Sequence, residues 1–476
     1  MHNATSDEAV TSLHDLSAVD LIAGYRAKQF SPSEVLEEML AHIESWEPHL
    51  KALYAFDPDG ARAAARASTE RWQKDEKTHA LDGVPVTIKD NIATRGVPMP
   101  LGTASMKLVP AAADAPPAAR LREAGAIIFA KTTMPDYGML SSGLSSFHPL
   151  TRNPWDLTKN PGGSSAGAGA AGAAGYGPLH LGTDIGGSVR LPAGWCGLVG
   201  FKPSGGRAPI DPPYYGRVTG PLTRSVADAA LMMATIAQPD ARDYMSLPPE
   251  SLDWRIEPAK LAGLRIGLLS EAGCGYPTSA PTRAALERAA RDFAAAGAAV
   301  EPLAPFLTQD MLDGLDRFWR MRALTDFRAT PPERRQKILP FIRAWGESAA
   351  DFSGETIFHG FSQMLVMRKA AVTATLPYDF VIAPTAPITA FAAELASPSD
   401  DPLDPFPHIG CTVAFNMSEQ PAVSVNCGYS DEGLPIGMQI IGRRFDDLGV
   451  LRLACAFEAM RAGAARPWPE PPSKKQ

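Results

Sequence analysis

The segment from residue 161 to residue 190 constrains the fold more than any other part of this 476-residue chain. Ten of its 30 residues are glycine, and nine others are alanine or serine. Two pairs of glycines precede serines: Gly162 and Gly163 before Ser164, and Gly186 and Gly187 before Ser188. Because glycine permits tight turns and close approach of backbones, we expect turns at both pairs and closely packed backbone around them.

Strand and helix patterns alternate along the rest of the chain. Apolar and polar side chains alternate over residues 84–89, which predicts a strand that ends at Lys89. Ser31 and Glu34 form a capping box, which predicts a helix start. Further strands are predicted at 126–130, 177–181, 264–269, 380–383, 423–425 and 436–441, and further helices at 61–72, 118–124 and 281–296. This alternation predicts an α/β fold with helices on both faces of one sheet.

Charge and composition argue against several classes of protein. The chain has 45 basic and 52 acidic residues, a net charge of −7, so we expect no nucleic-acid partner. No run reaches the roughly 18 apolar residues of a membrane span, so we expect no membrane partner. The N-terminal sequence lacks the basic and apolar regions of a signal peptide, which predicts a cytoplasmic protein. The five scattered cysteines predict reduced thiols rather than disulfides or a zinc site.

The glycine-rich segment also contains two familiar motifs that give competing hypotheses. Residues 167–172 have the spacing G-x-G-x-x-G of a dinucleotide site, but no apolar strand precedes them and Asp184 follows Gly167 by only 17 residues. Residues 163–167 have the spacing G-x-S-x-G, which would make Ser165 the nucleophile of a serine esterase. The esterase hypothesis also requires a strand before Ser165, which the sequence does not show, and a downstream histidine as base. The downstream candidates are His180, His359 and His408.

A third interpretation of residues 166–174 is structural: a glycine–alanine helix against which neighbouring elements pack. It leaves the second cluster, GTDIGGSVR at 182–190, unexplained. Paired glycines there could aim backbone N–H groups at an oxyanion beside Ser188. A serine nucleophile needs a base. Lys89 is a candidate if burial keeps its amine neutral, and the alternative is a lysine that faces water at the end of a strand.

Several segments together resemble the amidase signature family. The resemblance is carried by residues 161–203, which read PGGSSAGAGAAGAAGYGPLHLGTDIGGSVRLPAGWCGLVGFKP, by GVPVTIKDN at 83–91 and by TRNPWD at 151–156. It continues through GPLTRSVADAA at 220–230, YDFVIAPTAP at 378–387 and QPAVSVNCGYSDEGLPIGMQIIGRRFDD at 420–447. Two positions depart from the family pattern: Ala166 replaces a glycine, and Glu419 stands where glycine is common.

The resemblance implies a Ser–Ser–Lys triad. Carried over residue by residue, Ser188 is the nucleophile, Ser164 the relay serine that follows a cis peptide bond, and Lys89 the base. The implied oxyanion hole consists of the backbone N–H groups of Ile185, Gly186, Gly187 and Ser188. In supporting positions we expect Ser165 to form hydrogen bonds and Asp184 to pair with Arg190. The resemblance requires no metal and no cofactor.

The resemblance further implies hydrolysis of a C–N bond in a small amide, anilide or carbamate, the last being a urethanase activity. A glutamine-hydrolysing subunit of a transamidation complex is the alternative within the family. We expect a small-molecule substrate, and the oligomeric state stays open, with a homodimer as one option. Candidate pocket residues lie in the aromatic helical block at 306–376: Phe318, Trp319, Phe341, Trp345, Phe361 and Met364.

The implied organisation is a single domain over residues 1–476 with a mixed sheet of about ten or more strands. Within it we expect N-terminal helices at 1–80, the catalytic core at 81–235 and the variable helical block at 306–376. The Pro-rich tail at 464–476 is expected to be frayed.

Overall fold

The elements of the chain are assembled around one sheet. In a computed structural model, residues 12–76 and 79–472 are described. Within these ranges the sheet has 11 strands, in the order β1-β3-β2-β4-β6-β5-β10-β11-β9-β7-β8. The strands are β1 Leu53–Tyr54, β2 Pro85–Lys89, β3 Ile127–Thr132, β4 Leu179–Asp184, β5 Val199–Lys202, β6 Val218–Thr223, β7 Arg265–Leu268, β8 Ala299–Pro302, β9 Phe380–Pro384, β10 Ala422–Tyr429 and β11 Pro435–Gly442.

The sheet is mixed. Strand β2 lies parallel to both β3 and β4, and β7 lies parallel to β8 and β9. The pairs between β4 and β9 in the sheet order are antiparallel. Because β2 and β4 are parallel neighbours, their C-terminal ends, at Lys89 and Asp184, lie at the same edge of the sheet.

Helices cover both faces of this sheet. They are α1 Ala18–Arg26, α2 Pro32–Leu50, α3 Pro58–Gln73, α4 Pro116–Glu123, α5 Ala166–Ala173, α6 Arg190–Cys196, α7 Val226–Ile236, α8 Ala280–Ala295, α9 Gln309–Ala329, α10 Pro332–Arg335, α11 Pro340–Glu347, α12 Gly354–Thr375, α13 Gly410–Met417 and α14 Asp447–Met460. In β9, Phe380 and Ile382 pack in one hydrophobic cluster, whereas Val381 and Ala383 pack in another. This two-residue alternation is expected of a strand buried on both faces. The predicted fold class is confirmed.

Four strands of this sheet, β1, β5, β6 and β8, were not predicted. The strands β5 and β6 lie within the Gly- and Pro-rich region, where the sequence favoured turns, and β6 itself contains Gly220 and Pro221. Both are fully buried in the middle of the sheet, so pairing with neighbouring strands outweighs their weak local preference. The predicted capping box at Ser31 is confirmed, because its side chain and that of Glu34 each accept from the other's backbone N–H.

The helix α5 decides between the motif interpretations of residues 166–174. All eight of its residues are buried. A Cβ added at Gly167 would lie 2.2 Å from the carbonyl oxygen of Ala52, and one added at Gly169 would lie 2.9 Å from Pro192. The structural interpretation is therefore confirmed. The dinucleotide reading is wrong, because protein atoms occupy the space beside these glycines that a pyrophosphate would need.

The two chain ends are described only in part. The expectation of no signal peptide concerns residues 1–20, of which 1–11 lie outside the described residues, as do residues 473–476 of the tail. In the tail that was expected to be frayed, Arg466 and Trp468 make contacts. The Arg224 guanidinium lies 4.4 Å from the centroid of the Trp468 ring, and the Arg466 amide donates to Tyr429 Oη at 3.2 Å. Aromatic and cation–π contacts thus hold this part of the tail. No helix in the described ranges is long and apolar enough to cross a membrane.

Candidate active site

Lys89, the last residue of β2, lies in the interior. Its side chain is fully buried, so the alternative of a lysine that faces water is wrong. The Nζ atom donates to Ser164 Oγ at 2.8 Å and to Thr183 Oγ1 at 3.0 Å. Burial lowers the pKa of Lys89 well below its ordinary value, and the charge of Arg217 lowers it further against the opposing charges of Asp184 and Asp90. The amine is therefore available in its neutral form.

Ser164 and Ser165 stand in the turn that leads into α5. The peptide bond between Gly163 and Ser164 is cis, and Ser164 is almost fully buried. The Ser165 amide donates to the carbonyl oxygen of Ser188 at 3.2 Å, and Ser165 Oγ donates to the carbonyl oxygen of Thr183 at 3.3 Å. These contacts hold the turn against the loop that carries Ser188.

Ser188 lies in the loop between β4 and α6 and is partly exposed to a cavity. Ser164 and Ser188 line the same cavity. Among the described residues, the Ser188 hydroxyl forms no hydrogen bond with the Ser164 hydroxyl. The structure thus brings Lys89, Ser164 and Ser188 to one site.

A buried ion pair holds the Ser188 loop. Arg190 Nε donates to Asp184 Oδ2 at 3.0 Å, with both side chains fully buried. Burial alone would raise the pKa of Asp184, but Arg190 and a hydrogen bond from Asn416 hold it below its ordinary value. Asp184 Oδ1 also accepts from the Gly187 amide at 2.8 Å. That contact occupies one of the four amides that the family resemblance implies for an oxyanion hole.

The cavity has two compartments that share Ser188 and Arg322 in their walls. The larger one, about 460 Å³, has mainly apolar walls that also carry Ser164, Arg217, Arg322 and Asp326. The smaller one is a mainly apolar slot of about 30 Å³. Its walls include Met139, Leu140, Trp319, Phe406 and Ile409. A substrate with its carbonyl at Ser188 would therefore meet apolar walls in both compartments, with Arg217 and Arg322 among the charged groups of the larger one.

Comparison with known proteins assigns the family. The sequence profile of the Amidase family matches residues 34–451. The chain belongs to the amidase signature family. It is 33% identical, over 95% of its own length and 98% of the relative's, to a subunit of the glutamyl-tRNA(Gln) amidotransferase of Chloroflexus aurantiacus. The structure of a bacterial aryl acylamidase of the same family matches with a TM-score of 0.87 and 31% identity, across 96% of this chain and 99% of that one.

A solved structure of the corresponding amidotransferase subunit from Thermotoga maritima also matches. Its TM-score is 0.76 and its identity is 27%, across 97% of this chain and 99% of that chain. The family and these relatives make this amidase a hydrolase of carbon–nitrogen bonds.

The serine esterase hypothesis finds no support in this amidase. His180 is fully buried, and its ring contacts Thr87 Oγ1 at 2.8 Å. His359 lies on the outer side of α12, 3.8 Å from Asp310. His408 is buried against the Trp195 ring. None of the three reaches Ser165 in the described part of the chain, so Ser165 lacks the base that an esterase nucleophile requires.

Only one of the six candidate pocket residues lines the compartments beside Ser188 in the described chain. That residue is Trp319 on α9. Met364 and Trp345 are buried in the helical core, and Phe318 packs against Phe361 with ring centroids 5.6 Å apart. An amphipathic pattern shows which residues are apolar, but it does not tell which apolar residues face a cavity.

Several residues of the site were not predicted from the sequence. Thr183 contacts Lys89 directly, and its only signal was its position one residue before Asp184 in the second glycine cluster. Gly138 lies so close that an added Cβ would be 3.2 Å from Ser164 Oγ. Arg217 and Arg322 come from distant parts of the chain, and no motif marks either of them.

The unexpected Glu419 has a clear structural environment. Its side chain is 20% exposed and accepts from Arg368 at 2.8 Å and from Arg444 at 2.7 Å. These two ion pairs connect α12 to the segment after β11. Glu419 thus contributes to packing around the sheet and lies outside the cavity that contains Ser188.

Proposed function

We propose that this amidase cleaves the C–N bond of a small amide, anilide or carbamate through a Ser188–Ser164–Lys89 triad. The observation that carries the proposal is the buried 2.8 Å contact between Lys89 Nζ and Ser164 Oγ, beside a cavity that Ser188 also lines. A lysine with a lowered pKa and a serine within hydrogen-bond distance form a base and a proton relay.

The proton path follows from this arrangement. Neutral Lys89 takes the proton of Ser164 Oγ as Ser164 takes the proton of Ser188 Oγ. The freed electron pair of Ser188 attacks the carbonyl carbon and forms a tetrahedral oxyanion. The protonated relay then gives its proton to the leaving nitrogen, the C–N bond breaks, and an acyl-enzyme and an amine result. Water, deprotonated by the same relay, hydrolyses the ester of Ser188.

The oxyanion would be stabilised by the backbone amides of Ile185, Gly186 and Ser188. Fixed N–H donors act on the charge that develops during attack, and removing one such donor typically costs about 2.7–4 kcal/mol of transition-state stabilisation. The buried pair of Asp184 and Arg190 positions this loop without touching the reacting atoms. In this proposal the Gly187 amide supports the loop.

The proposed substrate class rests on the cavity and on the relatives. A volume of about 460 Å³ suits a molecule of small-drug size, and the slot at Trp319 suits a compact apolar group. The aryl acylamidase supports anilides, because its structure resembles this chain more closely than the Thermotoga amidotransferase structure does. Carbamates share the carbonyl–nitrogen bond that the triad would attack.

A second candidate function is glutamine hydrolysis within a transamidation complex. It is favoured by the 33% identity to the Chloroflexus aurantiacus amidotransferase chain over nearly the full length of both proteins. In that case the ammonia released at Ser188 would pass to a partner protein, and cleavage of anilides and carbamates would be slow.

Amine release from a panel of amides, anilides, carbamates and glutamine tests both candidates. We expect wild-type protein to turn over anilides or carbamates faster than glutamine, and Ser188→Ala to lose several orders of magnitude in kcat. Preferential release of ammonia from glutamine, increased by copurifying partner proteins, would favour the second candidate. If Ser188→Ala keeps most of the activity, the triad is wrong.

A further inference from the structure

Two arginines line the larger compartment of the cavity that also contains Ser164 and Ser188. Arg322 projects from α9, with its guanidinium 4.5 Å from the centroid of the Tyr214 ring. Arg217 lies in the segment just before β6 and donates to the carbonyl oxygen of Pro212 at 3.4 Å. Both side chains are half-buried.

Neither arginine has a carboxylate within 4.0 Å in the described part of the chain. The other arginines of α9 near this position differ, because Arg320 pairs with Asp316 at 2.6 Å and Arg317 lies 3.9 Å from Asp310. The acidic groups whose charges act on the pair are Asp326, one turn further along α9 and itself in the wall of the larger compartment, and Asp211. Neither forms an ion pair with Arg217 or Arg322.

The two guanidinium groups also act on each other. Burial lowers the pKa of Arg217 to about 10, and the charge of Arg322 contributes to that lowering. Two like charges in a partly desolvated wall destabilise the empty site, and an anion between them would relieve the repulsion. A guanidinium offers paired N–H donors whose geometry matches a carboxylate.

We propose that Arg217 and Arg322 form a carboxylate-binding subsite, and that the preferred substrate is an amide, anilide or carbamate that carries a carboxylate away from the scissile bond. The apolar slot at Trp319, whose wall Arg322 also reaches, would take the other end of the molecule. This inference rests on the proposed function, since it takes the carbonyl at Ser188 as the fixed point between the two compartments.

Binding to Ser188→Ala tests the subsite without requiring turnover. Three pairs of ligands, each an acid and its methyl ester, place the carboxylate differently. They are 4-acetamidobenzoate, with the charge on the amine side, 4-anilino-4-oxobutanoate, with the charge on the acyl side, and glutamine. Calorimetry gives their Kd values for four proteins. These are Ser188→Ala alone and three double variants in which it is combined with Arg322→Gln, Arg217→Gln or Arg328→Gln. Arg328 is the matched control, because it is exposed on the same helix and does not line the cavity.

We expect at least one acid to bind about tenfold or more tightly than its ester, the size of effect expected from a hydrogen bond to a charged group. Arg322→Gln and Arg217→Gln should each reduce that preference, and Arg328→Gln should leave it unchanged. The subsite is refuted if every ester binds as tightly as its acid, or if the preference survives both cavity substitutions.

Amine release by the wild-type protein from the same compounds separates the two proposals. An acid preference in binding without any amine release would leave the subsite standing and refute the proposed hydrolysis. Hydrolysis with no preference between acid and ester would support the proposed hydrolysis and refute the carboxylate subsite.

Discussion

The amine of Lys89 lies 2.8 Å from the hydroxyl of Ser164 in a part of the protein that solvent hardly reaches. Burial lowers the pKa of that amine, so a neutral base is available well below the ordinary lysine value of 10.5. We therefore expect kcat/KM for a neutral anilide to rise with pH through the lowered pKa of Lys89 and then to level off. A pH–rate profile with no such rise would contradict the role of Lys89 as base.

The charge of Arg217 offers a way to shift this profile. It is the second largest influence on the pKa of Lys89 after burial, and it lowers that pKa. Arg217→Gln should therefore raise the pKa of Lys89 and move the rising limb of the profile to higher pH. The substrate must be neutral, so that loss of the proposed carboxylate subsite does not contribute. Arg328→Gln is the control, and a limb that stays in place in Arg217→Gln would refute the coupling.

The lowered pKa of Lys89 also has a cost in stability. Below pH 10.5 the unfolded chain holds the Lys89 proton, whereas the folded chain loses it at a lower pH. Between these two pKa values the unfolded state binds more protons, so the unfolding free energy rises with pH. Lys89→Met removes this cost, and we expect an inactive protein with a higher Tm than wild type near neutral pH.

The Tm advantage of Lys89→Met should shrink as the pH approaches 10.5, because the buried and unfolded amines then differ less in protonation. Thermal unfolding at several pH values measures it. Lys260→Met, at an exposed lysine, serves as control and should show no such trend. An advantage of Lys89→Met that is constant with pH would contradict the assignment of a neutral buried amine.

Thr183 is a positioning residue for the base. Its hydroxyl accepts from Lys89 Nζ at 3.0 Å and from Asn91 Nδ2 at 3.1 Å. Thr183→Val should reduce kcat by about tenfold or more with little change in KM, because Lys89 becomes charged when it takes the proton, and a hydrogen bond to a charged group is worth about 1.5–3 kcal/mol. Thr183→Ser keeps the hydroxyl and should restore most of the rate. Equal losses in both variants would indicate a packing role instead.

The ion pair of Asp184 and Arg190 should matter chiefly for stability. Asp184→Asn leaves a fully buried guanidinium without its partner, which typically costs about 3–5 kcal/mol. The pKa of Asp184 is lowered in the folded state, so its contribution is present at neutral pH and is lost as the pH falls through that lowered value. Urea unfolding measures the loss. Arg255→Gln, at the exposed pair with Asp253, should leave the urea midpoint nearly unchanged, and an equally small shift in Asp184→Asn would contradict this account.

The sequence predicted the fold class and most strands because burial on both faces leaves a strong apolar pattern, as in β9 and β11. It also marked Lys89 and Ser188 as candidates through their local motifs, whereas Ser164 was singled out only by the family resemblance. The residues that surround them could not be predicted in this way. Thr183 is ordinary in its local sequence, and Arg217 and Arg322 meet only because β6 and α9 fold against the same cavity. Similarly, Phe361 was predicted to line the pocket, but its side chain is exposed on α12.

Direct detection of the acyl-enzyme tests the central claim that Ser188 is the nucleophile. A carbamate or ester that acylates quickly and deacylates slowly is mixed with the protein, the reaction is stopped with acid, and the modified residue is located by peptide mapping with mass spectrometry. The account predicts one acyl group on Ser188, absent in Ser188→Ala and strongly reduced in Ser164→Ala and Lys89→Met. An acyl group on Ser165 or Ser164, or one that persists elsewhere in Ser188→Ala, would contradict it.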